Sequence, residues 1–172
     1  SKGINRVLIV TDSVLRKIGL LDSFFAACDA AGLQGVVYDG VEPNPSIENI
    51  EAARKLYLDN HCEGIVAFGG GSAMDCAKAA GARVVKPRQS VAKMGGTLRV
   101  LKKLPPLFAV PTTAGTGSET TIAAVVTDRA TRGELPPELP FVCHCLEDLE
   151  AQFTAGNRLV ARLQAHLLPA RV

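Results

Sequence analysis

The sequence predicts an α/β fold in which a mostly parallel, doubly wound sheet carries helices on both faces. Four short apolar runs, at residues 7–10, 36–38, 65–68 and 107–110, each stop at a polar, proline or glycine-rich loop, as buried parallel strands do. Segments with the 3.6-residue spacing of helices lie between the first, second and third runs, and a small-residue helix follows the third. Strands alternating with helices imply right-handed crossovers and ligand-binding loops at the carboxyl ends of the strands.

The first run, Val7-Leu8-Ile9-Val10, ends at Thr11, Asp12 and Ser13. Leu20, Leu21, Phe24, Phe25, Cys28 and Ala31 then recur on one helix face, and Gly32 stops a helix predicted over residues 19–31. After Val36-Val37-Tyr38, the stretch Glu42-Pro43-Asn44-Pro45-Ser46 reads as a fixed loop, because its two prolines lack N–H groups. Ser46 is placed to cap a helix with Ile47, Ile50, Ala53 and Tyr57 inward, ending near Asn60.

Residues 65–68 run into Gly69-Gly70-Gly71, and Ala73, Met74, Ala77, Ala79 and Ala80 make the next helix slim enough to approach the sheet closely. Residues 84–104 lack a clean period, hold Lys86, Arg88, Lys93, Arg99, Lys102 and Lys103, and read as a surface excursion. The run at 107–110 is halted by Pro111, and residues 122–127 form one more apolar strand. Residues 1–131 are therefore expected to form one domain. Residues 132–172 are expected to form a tail: a proline-stiffened linker at 135–140, then helix with Leu146, Leu149, Phe153, Val160, Leu163 and Leu167 near heptad spacing.

The 172 residues, 47% of them hydrophobic, suffice for one good core. A net charge of +2 with both signs dispersed argues against nucleic acid as a partner. An odd number of cysteines, five, with Cys28, Cys62 and Cys76 inside apolar or helical stretches, fits a reducing cytoplasm better than a disulfide framework. The first apolar run is too short for a signal peptide or membrane span, so no membrane association is expected.

The triple glycine after a buried strand brings bare backbone N–H groups and the positive end of a helix to one place, where a pyrophosphate would fit. It matches neither G-x-G-x-x-G nor the P-loop spacing, and an ordinary strand-to-helix turn explains it equally. Asp12 is placed either to accept ribose hydroxyls or to cap the following helix. Asp75, in the first turns of the helix after the glycines, suits a supporting role. Thr112 to Ser118 offers hydroxyls and glycines for phosphate or ribose oxygens, or forms a solvated turn. For bond-breaking chemistry the inventory is poor. His61 reads as a solvent-facing residue at a helix end, His166 as a surface residue, and Cys143-His144-Cys145 lacks the spacing and distant partners of a zinc site. No catalytic residue and no metal ligand is assigned.

Cys62-Glu63-Gly64-Ile65-Val66-Ala67-Phe68-Gly69-Gly70-Gly71-Ser72-Ala73-Met74-Asp75-Cys76-Ala77-Lys78 and Leu107-Phe108-Ala109-Val110-Pro111-Thr112-Thr113-Ala114-Gly115-Thr116-Gly117-Ser118-Glu119 closely resemble the iron-containing (group III) alcohol dehydrogenases, as do residues 7–12 and Pro43-Asn44-Pro45. The resemblance runs from about residue 2 to 131. It implies a Rossmann-like domain binding NAD rather than NADP. Gly70, Gly71 and Ser72 would hold the pyrophosphate, and Asp12 would face the adenosine ribose, which raises that reading above capping. Pro43 and Asn44 would line the adenine or ribose side, and Asp75 would brace the glycine loop. Thr112, Thr113 and Thr116 would contact phosphates and the nicotinamide-side sugar, with Thr121 and Val125 flanking the nicotinamide.

The resemblance also implies features that this sequence does not carry. A strand and short glycine motif would precede Val7, so one sheet edge is expected to be bare. A lysine expected after Thr127 and Asp128 is replaced by Arg132, Gly133 and Glu134. The family's helical half, whose aspartate and three histidines bind Fe2+ or another divalent metal, has no counterpart here. The chain thus resembles the cofactor-binding part of an NAD-dependent dehydrogenase acting on a small alcohol or aldehyde, truncated and expected to be inactive by itself. The alternative is a non-catalytic nucleotide-binding module that self-associates, as a homodimer, through residues 146–167.

Overall fold

The computed structural model describes residues 3–94, 96–100, 102–113, 117–118, 121, 123–129 and 138–143. Strand β1 (Arg6–Val10) leads to helices α1 (Ser13–Lys17) and α2 (Asp22–Ala30), then β2 (Gln34–Tyr38) and α3 (Ile47–Asp59). Next come β3 (Gly64–Gly69), α4 (Gly71–Val85), α5 (Val91–Met94), β4 (Gly96–Val100), β5 (Leu107–Pro111), β6 (Ala123–Thr127) and β7 (Glu138–Cys143). β1, β2, β3 and β5 form a wholly parallel sheet in the order β2-β1-β3-β5. A second sheet has the order β4-β7-β6, with β7 parallel to β4 and antiparallel to β6.

The two faces of β1 explain the double winding. Leu8 and Val10 join Ile50, Ala53, Ile65, Met74 and Ala77 under α3 and α4, whereas Val7 and Ile9 join Leu21, Phe24, Cys28, Phe68 and Phe108 under α2. A strand apolar on both faces can only lie inside such a sandwich. The large aliphatic side chains buried on each face contribute about 1.5–3 kcal/mol apiece. Ala73, Ala77, Ala79, Ala80 and Ala82 are buried along α4, the close approach that their small size predicted.

Helix ends follow the local chemistry. Ser46 caps α3 through a capping box with Asn49. Gly32, at φ 68°, closes α2: its N–H reaches Asp29 O and the N–H of Leu33 reaches Cys28 O, the paired bonds of a Schellman end. α3 ends the same way with the exposed His61 at φ 51° in the glycine position. Its N–H bonds Leu58 O and that of Cys62 bonds Tyr57 O.

Three sequence expectations are corrected. The helix expected over 19–31 is α2, and an additional helix, α1, stands before it, capped by Asp12 and followed by Gly19 at φ 72°. α1 buries none of its residues, so no apolar stripe announced it. The surface excursion at 84–104 holds the last turn of α4, α5 and β4, and buries Val91, Met94, Val100 and Leu104. Widely spaced apolar residues there reach the core while the intervening lysines stay outside. The linker at 135–140 runs into β7, whose Pro140 stands opposite Val125; one proline removes one donor from a ladder and leaves those of its neighbours. The apolar stripe at 146–167, with His144, Cys145 and His166, lies outside the described residues.

Candidate functional site: a crevice at the switch point of the parallel sheet

In the order β2-β1-β3-β5 the chain leaves β1 toward β2 on one side, while β3 lies on the other. The helices that follow these adjacent strands pack on opposite faces of the sheet. Their carboxyl ends therefore part to form a crevice, the place where open α/β sheets bind ligands.

Asp12 enters this crevice from β1. Its Oδ1 accepts the N–H groups of Val14 and Leu15, both at 2.9 Å, so the capping role is real. Its Oδ2 lies on the side of Gly69, 3.9 Å from where a β-carbon of that residue would sit. One oxygen thus holds α1 while the other faces the glycine turn.

The glycine turn enters from β3. Gly69 has φ 152°, and a β-carbon on it would come within 2.9 Å of Ala73 Cβ. Gly70 is the N-cap of α4 and supplies no side-chain cap, so the first N–H groups of this 15-residue helix have no side-chain acceptor at the cap. The helix dipole adds partial positive charge at the same point. A β-carbon on Gly70 would sit 2.9 Å from Thr113 Oγ1. This cradle exists only because the side chain is absent.

Two further loops close on the turn. The Ser72 hydroxyl accepts the backbone N–H of Asn44 at 3.3 Å, tying the exposed Pro43 and Asn44 to α4. Asn44 itself has φ 54°. The far end of this loop is pinned where the Thr127 N–H donates to Pro45 O at 2.9 Å. On the other side, the Thr112 N–H donates to Gly69 O at 3.0 Å and carries the β3–β5 ladder one residue past Pro111. The structure therefore brings Asp12, Pro43, Asn44, Gly70, Gly71, Ser72, Thr112 and Thr113 to one edge. Thr116 lies outside the described residues.

Asp75 is placed differently from expectation. Instead of bracing the glycine loop, Oδ1 accepts the Ser118 hydroxyl at 2.7 Å and Oδ2 accepts the Val125 N–H at 3.0 Å. A side chain in the second turn of α4 points along the helix flank, beyond reach of the turn's own amides, and meets the neighbouring β6 instead. Thr121 and Val125 are joined to α4 by this same cluster, which centres on Lys78. In the sequence Lys78 stands only as the last residue of the glycine motif. A lysine among alanines on a buried helix was the available signal, since buried lysines are rare unless paired.

Thr11, beside Asp12, is fully buried, and its Oγ1 has no hydrogen-bond partner among the described residues. Cys76, next to Asp75, is fully buried, and its thiol is pushed up to about 12 by burial and secondarily by the Asp75 carboxylate. A cavity of about 340 Å³ lies at the opposite, amino-terminal edge, lined by Asn5, Arg6, Gly32, Gln34, His61 and Glu63. Another of about 350 Å³ lies beyond the end of α4, lined by residues 85–89 and Lys102. Neither touches the crevice, where the ligand-binding features are the backbone donors at the start of α4 and the glycine cradle.

The bare N-terminus of α4, the glycine cradle and the carboxylate of Asp12 suit a group with both a pyrophosphate and a ribose. Among the described residues no three His, Cys, Asp or Glu side chains come together, so they offer no metal centre. No helix among them is long and apolar enough to cross a membrane.

The profile of the iron-containing alcohol dehydrogenases matches residues 1–138. The choline dehydrogenase of Bacillus subtilis (strain 168) is 35% identical over 167 residues, 96% of this chain and 36% of its own length. That match continues well beyond residue 131. The lactaldehyde reductase of Escherichia coli (strain K12) is 35% identical over 153 residues, covering 86% of this chain and 40% of its own. The crystal structure of sulfoacetaldehyde reductase from Bifidobacterium kashiwanohense in complex with NAD+ superposes with a TM-score of 0.73 at 36% identity, over 83% of this chain and 36% of that one. The chain thus spans well under half the length of these relatives. With the parallel sheet, the glycine turn and these matches in agreement, the chain belongs to the iron-containing alcohol dehydrogenase family.

Proposed function

We propose that this chain is the dinucleotide-binding part of an NAD-dependent alcohol dehydrogenase that moves hydride between a small alcohol or aldehyde and the cofactor. The observation that carries the reading is the uncapped start of α4 at the switch point, facing Asp12 on one side and Thr113 on the other. Relatives named for reduction of lactaldehyde and sulfoacetaldehyde, one of them in complex with NAD+, support it.

In this reading the N–H groups of Gly71 and Ser72 bind the pyrophosphate, and Gly70 leaves room for it. Asp12 accepts ribose hydroxyls through Oδ2 while Oδ1 keeps α1 in place; its charge disfavours a 2′-phosphate. Pro43 and Asn44, held by Ser72, line the adenosine side. Thr112, Thr113 and Thr116 serve the nicotinamide half, and Thr121 and Val125 flank the ring. When bound, the nicotinamide supplies the hydride acceptor or donor. The family's metal would polarise the substrate oxygen.

The test is calorimetric titration of the 172-residue chain with NAD+, repeated with Asp12→Ala and Gly71→Val. Binding that Asp12→Ala weakens and Gly71→Val abolishes is the expected outcome, with negligible alcohol oxidation throughout. A folded parent that binds no NAD+ overturns the reading.

A further inference from the structure

We propose that Lys78 is a positioning residue: its ammonium, working with Asp75, sets Ser118, Thr121, Ala123 and Val125 as the nicotinamide-side wall of the crevice without itself touching the cofactor. This rests on the dinucleotide reading above.

Lys78 lies one turn beyond Asp75 on α4, and its side chain is only 8% exposed. Its Nζ donates to the backbone carbonyls of Ser118 at 2.7 Å and Ala123 at 2.8 Å, and to the hydroxyls of Ser118 at 3.1 Å and Thr121 at 3.3 Å. Asp75 Oδ1 stands 3.5 Å away. Burying an ammonium is costly unless it is paired and hydrogen-bonded, and here the acceptors on Ser118, Thr121 and Ala123 belong to the segment entering β6. Two carbonyls converging on one cation fix both ends of residues 118–123 relative to α4. Asp75 completes the clamp through the Ser118 hydroxyl and the Val125 N–H. Thr121 and Val125, the residues that family resemblance puts beside the nicotinamide, are therefore held by Lys78 and Asp75 and not by the glycine turn.

The two halves of the crevice have separate supports, so they can be separated by experiment. ADP carries only the adenosine and pyrophosphate that Asp12 and the glycine turn would meet, whereas NADH adds the nicotinamide riboside. The parent chain, Lys78→Met and Ser118→Ala are titrated with ADP and with NADH by calorimetry, and bound NADH is followed by its emission. Methionine keeps the unbranched stem and removes the charge. Ser118→Ala removes one acceptor on the segment and leaves α4 untouched.

The parent is expected to bind NADH more tightly than ADP and to alter NADH emission. Lys78→Met is expected to lose about tenfold or more in NADH affinity, together with the emission change, while ADP affinity moves less than about twofold. Ser118→Ala should shift the same ratio in the same direction by a smaller factor. A folded Lys78→Met chain with an unchanged NADH-to-ADP ratio and emission overturns the inference. If Lys78→Met does not fold, an unchanged ratio in Ser118→Ala overturns it. A folded parent that binds ADP but gains nothing from the nicotinamide half also overturns it and leaves the adenosine site standing. A folded parent that binds neither ligand overturns the dinucleotide reading, and this inference with it.

Discussion

Gly70 and Thr113 face each other so closely across the crevice that a β-carbon on Gly70 would lie 2.9 Å from Thr113 Oγ1 and 3.7 Å from Thr113 Cβ. The two loops meet only because one residue has no side chain. Gly70→Ala is expected to displace Thr113, weaken NAD+ binding about tenfold and cost about 1 kcal/mol of stability. Thr113→Ala in the same chain should restore most of the stability, because the clash is with its hydroxyl. A double-mutant cycle in urea, with NAD+ titrations of each variant, measures the coupling.

Asp12 does two jobs with its two oxygens, and they can be dissected. Asparagine caps helices as well as aspartate, so Asp12→Asn should leave the melting temperature nearly unchanged. Removal of the charge should narrow the preference for NAD+ over NADP+. Asp12→Ala should lose the cap as well, about 1 kcal/mol. Equal losses of stability in the two variants would show that charge, and not the cap bonds to Val14 and Leu15, holds α1.

Gly69 and Gly32 both occupy backbone conformations that favour glycine, but in different surroundings. A β-carbon on Gly69 would meet Ala73 Cβ at 2.9 Å, whereas one on Gly32 meets nothing within 4 Å. Gly32→Ala is expected to cost about 1–2 kcal/mol from backbone strain alone. Gly69→Ala should cost about 2–4 kcal/mol, since overpacking against α4 adds to strain. Chemical denaturation of both variants checks the order.

Burial raises several protons' hold in the folded chain. Cys28 is pushed up to about 11 by burial and then by Asp29, and Cys76 to about 12 by burial and then by Asp75, from an ordinary 9.0. Tyr38 and Tyr57 rise from 10.0 to about 12, again chiefly through burial. The unfolded chain releases these protons first, so their contribution to stability is level below pH 9 and falls as pH rises from 9 to 12. Melting temperatures measured across that window should drop, and Cys76 should resist a thiol reagent at pH 8 until the chain unfolds.

Much of this architecture was legible residue by residue. Val7 to Val10, apolar at every position, announces a strand buried on both faces. Ser46 and Gly32 mark helix ends through bonds made within a few residues. The glycine turn and the Thr112–Thr113 loop were found as motifs, and the sheet order carries both to one edge. The misses share a cause. α1 buries nothing, so only its Asp12 cap and Gly19 end define it. Val91 and Met94 sit on a helix of only four residues, too short for a periodic signal, and with Val100 they enter the core through contacts with distant elements.

The parallel α/β class and the strand-to-turn-to-helix unit at Gly69, Gly70 and Gly71 were readable from the chain because they depend on period, capping and local backbone freedom, and the family from the long motifs at 62–78 and 107–119. Tertiary structure alone decided that Asp12 splits its oxygens between a cap and the crevice. It also decided that Asp75 turns from the glycine loop to Ser118 and Val125, and that Lys78 is buried as the counter-charge of Asp75. A carboxylate or ammonium takes its role from whichever charges and dipoles the fold brings within a few ångströms, and Ser118 and Val125 lie 43 and 50 residues from Asp75 along the chain.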